Sequence, residues 1–539
     1  MSTTTVFTAK KIITMDRSVP EATHVAVRDG RVLAVGGPDC AAHWGEFETD
    51  NSLRDTIIMP GFVEGHAHLM AGGMWKYPYV GFHDRIDPDG REWKGVATAE
   101  AMIERLKSTQ TTSDGIIFVW GFDPIFLSSE RLSRTHLDQV SCERPIAVLY
   151  SNFHVMCVNS AALKIAGYTD ATSANGVVKD ANGQPTGELQ EMAAMFPVLR
   201  RMQIDFRALS QNRYALENYA KVAQRAGVTT ITDLYSMLED EDLDLMFAVT
   251  GQKTYPLRIV AALGAGAAPK TVADRALALA HKSTQKLRLG AVKIMTDGSI
   301  QGMTARVRWP GYLDGHANGL WNTSPAEILA LTHEMQRRNI QMHIHVNGDE
   351  AAEVALEALA DAACAHPWPE SRHVLQHCQM MDRALFHKAA KLGVVCNLFM
   401  NHIWYFGDKH ATVTVGPDRA ARMNALRTAL DEGVSCAIHS DAPVTPLAPL
   451  FTAGCAVNRK TMSGKILGKN ERISVAEALE LITIGAARSL HLDAEIGSIS
   501  PGKRADFAVL GEDPYFVAIE ELSKIPVLGT VFSGRTHLL

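Results

Sequence analysis

The run IQMHIHVNGDEAAEVALEALADAACA (340–365) reads as one strand, a turn and a helix. Residues 340–346 form a short apolar stretch with histidines two apart, as a strand buried on both faces requires. Asn347-Gly348 punctuates it, and from 348 to 365 apolar residues recur at helical spacing. A second strand-like run, HVLQH (373–377), follows. Two strands bracketing a helix in so short a span imply a parallel pair with the helix as crossover.

The same unit recurs to either side. FVEGHAH (62–68), VTTITD (228–233), LRIVAAL (257–263), AVKIMTD (291–297), VVCNLF (394–399) and SCAIHSD (435–441) bring the strand candidates to eight. Helix-like stretches such as AARMNALRTALDEG (420–433) lie between them. Eight units predict an α/β fold of the closed (β/α)8, TIM-like barrel type over 59–485. An open doubly wound sheet competes, but no G-x-G-x-x-G follows any strand. About 160 residues separate the first strand from the second, too many for a bare loop. We expect an inserted subdomain after strand 1, about 75–210, with strands in GIIFVWGF (115–122) and PIAVLYSNF (145–153) and a helix in SAALKIAG (160–167). Insertions after barrel strands lie on the face that carries chemistry, so this one is expected to cover the site. Both chain ends, 1–58 and 486–539, alternate apolar and polar residues around turns such as Asp29-Gly30, Pro501-Gly502 and Ser533-Gly534. They predict one β-sandwich built from both termini.

Composition narrows the function classes. The chain has 539 residues, 46% hydrophobic and 21% charged, with a net charge of −6. No basic stripe is available for a phosphate backbone, so no nucleic-acid partner is expected. No apolar run reaches the roughly 18 residues of a membrane span, and MSTTTVFTAKKIITMD lacks a secretory pattern. The eight cysteines include no C-x-x-C pair and read as buried free thiols in a reducing compartment. A cytoplasmic enzyme acting on a small-molecule substrate, and a homodimer, are the expectations.

In a barrel of this kind chemistry gathers at the C-terminal strand ends. His66 and His68 end strand 1, Lys293 lies on strand 4, His345 ends strand 5, His377 ends strand 6 and Asp441 ends strand 8. Residues two apart on a strand face the same way, so each H-x-H (66–68 and 343–345) can present two imidazoles to one ion. Of the second pair His345 lies nearer the strand end and is the candidate ligand, with His343 behind it. A lysine inside AVKIM is costly to bury charged. It can be neutral, can react with carbon dioxide to give a bridging carbamate, or can pair with Asp297. Asp441 can bind a metal and accept a proton from water, or cap the following segment.

These segments resemble the amidohydrolase superfamily, and within it the YtcJ-like branch that includes N-substituted formamide deformylases. The resemblance is carried by PGFVEGHAHL (60–69), SNFHVMCVNSAAL (151–163), GQPTGELQE (183–191), AGVTTITD (226–233), VKIMTDGSI (292–300), HIHVNGDEA (343–351), LQHCQMM (375–381), HSDAPV (439–444) and the stretch 473–510. It implies a metal centre, usually zinc, with two ions per chain, although manganese, iron or cobalt suit the same donors. His66, His68 and Asp441 would hold one ion and His345 and His377 the other, with Lys293 as a carboxylated bridge. The implied activity is hydrolysis of an amide-type, non-peptide C–N bond, with Asp441 as proton carrier. Candidate substrate contacts are His154 and Asn152, with Asp297 and Arg459. Glu64, Gln376 and Asn397-Leu398-Phe399 depart from the usual pattern and bear on substrate identity. Trp75, Tyr77, Tyr79, Phe399, Trp404, Tyr405 and Phe406 are candidates for an aromatic pocket wall. Two other readings compete: a single-metal aminohydrolase that deaminates a heterocycle, which the strand-4 lysine disfavours, and a non-catalytic scaffold, which retention of all six ligands disfavours.

Overall fold

Eight parallel strands form the centre of the chain, which a computed structural model describes over residues 3–109, 115–127, 131–205 and 209–539. They are β1 (Phe62–Glu64), β2 (Val228–Ser236), β3 (Arg258–Gly264), β4 (Leu287–Met295), β5 (Met342–Val346), β6 (Val374–His377), β7 (Val395–Leu398) and β8 (Ser435–Ile438). Each pairs in parallel with the next. The closing seam between β1 and β8 is made just past the strand ends, where Asp441 N–H donates to His66 C=O at 3.1 Å and His68 N–H to Ala442 C=O at 2.9 Å. β1 and β8 are therefore shorter than expected. His66, His68 and Asp441 sit beyond the regular ladder, on the backbone that shuts the barrel.

Alternation along the strands decides which way each group points. Val292, Ile294, Met342, Ile344 and Val346 join the large core between barrel and outer helices, which turns Lys293, His343 and His345 into the barrel. At the opposite mouth Val63, Val260 and Ala437 pack on Ala486, Ala487, Leu490 and Leu492. An apolar plug thus fills the bottom and leaves polar groups to the top. Each large aliphatic side chain so buried contributes roughly 1.5–3 kcal/mol.

The crossover helix after β5 runs Asp349–Ala365, as its sequence predicts. The helix expected over 420–433 is broken into Pro417–Ala421 and Leu426–Asp431. Asn424 interrupts it at φ +49, and its N–H donates to Gln379 C=O at 2.8 Å.

The insert carries its own five-stranded sheet, in the order 177–179, 185–190, 155–158, 146–150, 117–122. Phe118, Trp120, Leu149 and Met156 face one core, and Ile117, Val119, Val148 and Cys157 the other. The insert reaches the barrel mouth. Arg85 donates to the carbonyls of Pro443 and Val444, at 2.5 and 2.6 Å, just past β8.

Strands from both termini share one sheet in the order 535–538, 527–532, 507–510, 57–60, 4–13, 21–28, 31–36, with 47–50 beside 4–13. Asp29-Gly30 and Ser533-Gly534 are both two-residue hairpin turns at positive φ, as their sequences require. A buried ion pair, Arg258 to Asp506 at 2.7 Å, ties this sheet to the barrel. The limits drawn at 58/59 and 485/486 fall inside strand 57–60 and helix Ile484–Ser489, and that helix plugs the barrel. Among the described residues no helix is long and apolar enough to cross a membrane.

Candidate metal centre

The segment carrying His66 and His68 is pinned from β2. Thr232 Oγ1 accepts the N–H of Ala67 at 2.8 Å, and Asp233 Oδ1 that of Leu69 at 2.9 Å. Oδ1 of Asp441 stands 3.3 Å from Nε2 of His66 and 3.3 Å from Nε2 of His68. That oxygen makes no hydrogen bond among the described residues. Three donor atoms therefore point at a shared spot and not at one another. Zinc–nitrogen bonds of about 2.0–2.1 Å in a tetrahedron give donor–donor edges of about 3.3–3.4 Å, so this set fits a divalent ion.

A second pair adjoins it. Nδ1 of His345 and Nε2 of His377 are 3.0 Å apart, and Nδ1 of His377 is 3.8 Å from Oδ2 of Asp441. On β6 Leu375 joins the outer core, so by alternation His377 falls on the outward phase. Its φ of +74° turns it back among the other imidazoles, and Asp441 is likewise held at φ +53°. Such backbone costs about 1–3 kcal/mol per residue and persists where surrounding contacts enforce it.

Lys293 is fully buried, and its Nζ has no hydrogen-bond partner among the described residues. Burial brings its pKa down to about 7, against the pull of Asp441. Its field is felt at His66, His345 and His377. The expected alternative of an ion pair with Asp297 does not form. Asp297 instead accepts the N–H groups of Asn347, Gly348 and Arg306 at 3.1, 2.9 and 3.0 Å. An unpaired buried amine suits conversion to an anion that bridges cations. Burial also holds His66, His345 and His377 neutral, the form that binds metal. Burial pushes the Asp441 carboxyl up, but contact with His68 and the charges of His439 and Lys293 outweigh it and keep it below its ordinary value. Asp441 caps no helix, because the next one starts at Pro449 with Ala448 before it.

The outer nitrogens have partners of their own. Nδ1 of His66 meets Gln376 Oε1 at 2.8 Å, which also accepts Asn397 Nδ2 at 2.9 Å. Gln376 Nε2 faces His343 Nδ1 at 2.9 Å, which places His343 behind the ligand cluster. Glu64, with its pKa raised by burial to about 8, accepts both the N–H and the hydroxyl of Ser440. The departures at 64, 376 and 397 thus lie directly behind the candidate ligands.

The candidate substrate contacts divide. His154, from the insert, brings its ring to 5.5 Å from that of His345, and its Nδ1 is 2.8 Å from Glu191 Oε2. Burial would lower the His154 pKa, but the charge and hydrogen bond of Glu191 prevail and raise it. Asn152 spends its amide on Ser299 Oγ and on the N–H groups of His154 and Val155, so it anchors the insert to the loop after β4. Asp297 is wholly buried behind His345, its carboxylate taken up by the N–H groups of Asn347, Gly348 and Arg306. Arg459 lies elsewhere. Its guanidinium, fully buried, donates to the carbonyls of Leu467, Asn424 and Met423, a cation spent on holding turns together.

The aromatic wall is also divided. Phe399 packs on His439 and His377, with centroids at 5.0 and 5.8 Å. Trp404 and Tyr405 enclose His83 of the insert, Phe406 stacks on Phe126, and Tyr77 packs on Phe118. Trp75 joins Tyr79 and Trp120 and lines a cavity of about 530 Å³ bounded by Arg85, Pro443 and Leu447. None of the candidate ligands lines that cavity. Two residues that matter here escaped the sequence reading. Glu191 orients His154. His439, whose signal was its place two residues before Asp441 just past β8, stands inside the imidazole cluster.

A sequence profile of the amidohydrolase family matches residues 52–537. The chain belongs to that family. Among relatives, Protein LONG AFTER FAR-RED 3 of Arabidopsis thaliana is 28% identical over 97% of this chain and 90% of its own. YtcJ of Bacillus subtilis is 27% identical over 95% of each chain. The N-substituted formamide deformylase of Arthrobacter pascens is 24% identical over 95% of this chain and 94% of its own. The crystal structure of an uncharacterized metal-dependent hydrolase from Pyrococcus horikoshii shares the fold, with a TM-score of 0.71 at 21% identity over 96% of this chain and 99% of that one. An amidohydrolase with His66, His68 and Asp441 converging in this way is a hydrolase built to hold a divalent metal.

Proposed function

We propose that this amidohydrolase cleaves an amide-type, non-peptide C–N bond of a small molecule, using two divalent ions, most simply zinc. The observation that carries the reading is the convergence of His66, His68 and Asp441 beside the His345–His377 pair, with the unpartnered amine of Lys293 buried in the same field. His66, His68 and Asp441 would hold one ion and His345 and His377 the other. Lys293 supports both: its neutral amine attacks carbon dioxide, an N–C bond forms, one proton leaves, and the resulting carbamate supplies two oxygens. Metal bound there supplies Lewis acidity, which makes water a nucleophile near neutral pH and polarises the substrate carbonyl.

The chain's own residues do the rest. Asp441 takes the proton of the attacking water and passes it to the leaving nitrogen. His154, oriented by Glu191, donates to the oxygen on which charge develops. The insert, anchored through Asn152 and Arg85, keeps bulk water from the barrel mouth. The deformylase named above gives the substrate class to try first.

The test is a screen of N-formyl and N-acyl amines, hydantoins and aryl amides with metal-replete protein, reading released amine, alongside metal content. Two ions per chain with amine release supports the reading. One ion per chain with ammonia released from a heterocycle would replace it by the aminohydrolase reading.

A further inference from the structure

His439 lies between two rings. It stacks on His66 with centroids at 4.8 Å and an interplanar angle of 19°, and on Phe399 at 5.0 Å and 27°. Its Nε2 is 3.1 Å from Nδ1 of His377. It is completely buried, and its own Nδ1 has no partner among the described residues.

The proton count around His345 and His377 assigns it a task. For both inner nitrogens, Nδ1 of His345 and Nε2 of His377, to offer lone pairs, each neutral ring must carry its one N–H on the outer nitrogen. The outer nitrogen of His345, Nε2, meets the carbonyl of Gly298 at 3.0 Å and the side-chain amide of Asn347 at 3.0 Å. The outer nitrogen of His377, Nδ1, faces His439. Each ring thus has an acceptor beside its outer nitrogen, a backbone carbonyl for His345 and for His377 an imidazole nitrogen that must itself be bare. A ligand histidine is held in its tautomer by the acceptor on its other nitrogen.

We propose that His439 is a positioning residue of the metal centre: it accepts the Nδ1–H of His377 on its Nε2 and so fixes the tautomer in which His377 Nε2 faces the ion. His439 then carries its proton on Nδ1. Stacking between His66 and Phe399 holds the ring in the plane that keeps its Nε2 beside His377. The inference rests on the metal-centre reading above and adds to it a residue outside the ligand set.

The experiment compares wild type, His439→Leu and His439→Gln by chelator competition for cobalt, by the number of imidazoles seen in X-ray absorption of the loaded protein, and by ¹⁵N shifts of the histidine rings. Leucine leaves the His377 N–H buried with no acceptor, and cobalt affinity is expected to fall about 10–100-fold. Glutamine offers an amide oxygen near the place of Nε2 and is expected to restore most of the affinity with the imidazole count unchanged. Wild-type affinity in His439→Leu overturns the inference, as does failure of the glutamine variant to recover or loss of one imidazole from its metal shell. If the wild type takes up no metal, the functional reading falls and this inference with it; wild-type uptake left intact by His439→Leu sinks the inference alone.

Discussion

Nδ1 of His66 and Oε1 of Gln376 meet at 2.8 Å across 310 positions of sequence. The bond leaves the other nitrogen of His66 bare toward Asp441, so a neutral amide here fixes the tautomer of a candidate ligand. Gln376→Leu orphans a buried N–H, at a cost of about 1–3 kcal/mol, and should weaken metal binding about 10–100-fold. Gln376→Glu keeps the acceptor but loses the donor to His343 Nδ1, so it should retain more affinity than leucine. Chelator competition and thermal unfolding of the metal-free proteins check the order.

Lys293 supplies a pH test. Burial takes its pKa from 10.5 to about 7, so between those values the unfolded chain binds the extra proton. Stability from this group therefore rises with pH across that window, and the penalty is complete below it. Lys293→Met removes the buried amine at similar volume. The metal-free variant should be more stable than wild type at pH 7 by about 1–3 kcal/mol and flatter in pH, while losing metal-dependent turnover. Denaturant melts from pH 6 to 10 measure it; a variant less stable at neutral pH contradicts the account.

Asp441 is held at φ +53°, which asparagine tolerates better than most residues. Asp441→Asn should keep the fold and lower kcat by about 10²–10⁴-fold, the usual worth of a positioned acid–base group. Circular dichroism with steady-state kinetics on the substrate found by the screen would show it. Unchanged turnover would instead remove Asp441 from the proton transfer.

His154 and Glu191 form a pair whose sign differs from that of Lys293. Glu191 raises the His154 pKa, so the pair's stability is fully present below the unfolded value of about 6.5 and is lost as pH rises through the folded one. Glu191→Gln should lower the His154 pKa, seen in ring proton shifts. It should also lower kcat more than it raises KM, because the histidine donates to the oxygen on which charge develops.

Arg459 should prove purely structural. Arg459→Met strands three buried carbonyls and should cost at least about 1–3 kcal/mol, with metal content and turnover of the folded protein unchanged.

Strand–helix alternation, the helix after Gly348, the Asp29-Gly30 and Ser533-Gly534 hairpins and the histidines at strand ends were all legible in the sequence, because each depends on residues a few places apart. The period of two along a strand and the turn chemistry of glycine are local, and they mark out the barrel and point to six candidate ligands near its strand ends. Relations across hundreds of residues were not legible. Nothing near Arg459 says that its charge is consumed by carbonyls at 423, 424 and 467, nor that those contacts accompany a break in the helix expected over 420–433. His439 looked like any buried histidine until the fold placed it between His66, His377 and Phe399. Which nitrogen of each imidazole is free for a metal is settled by its neighbour on the far side, and only closure of the barrel supplies that neighbour.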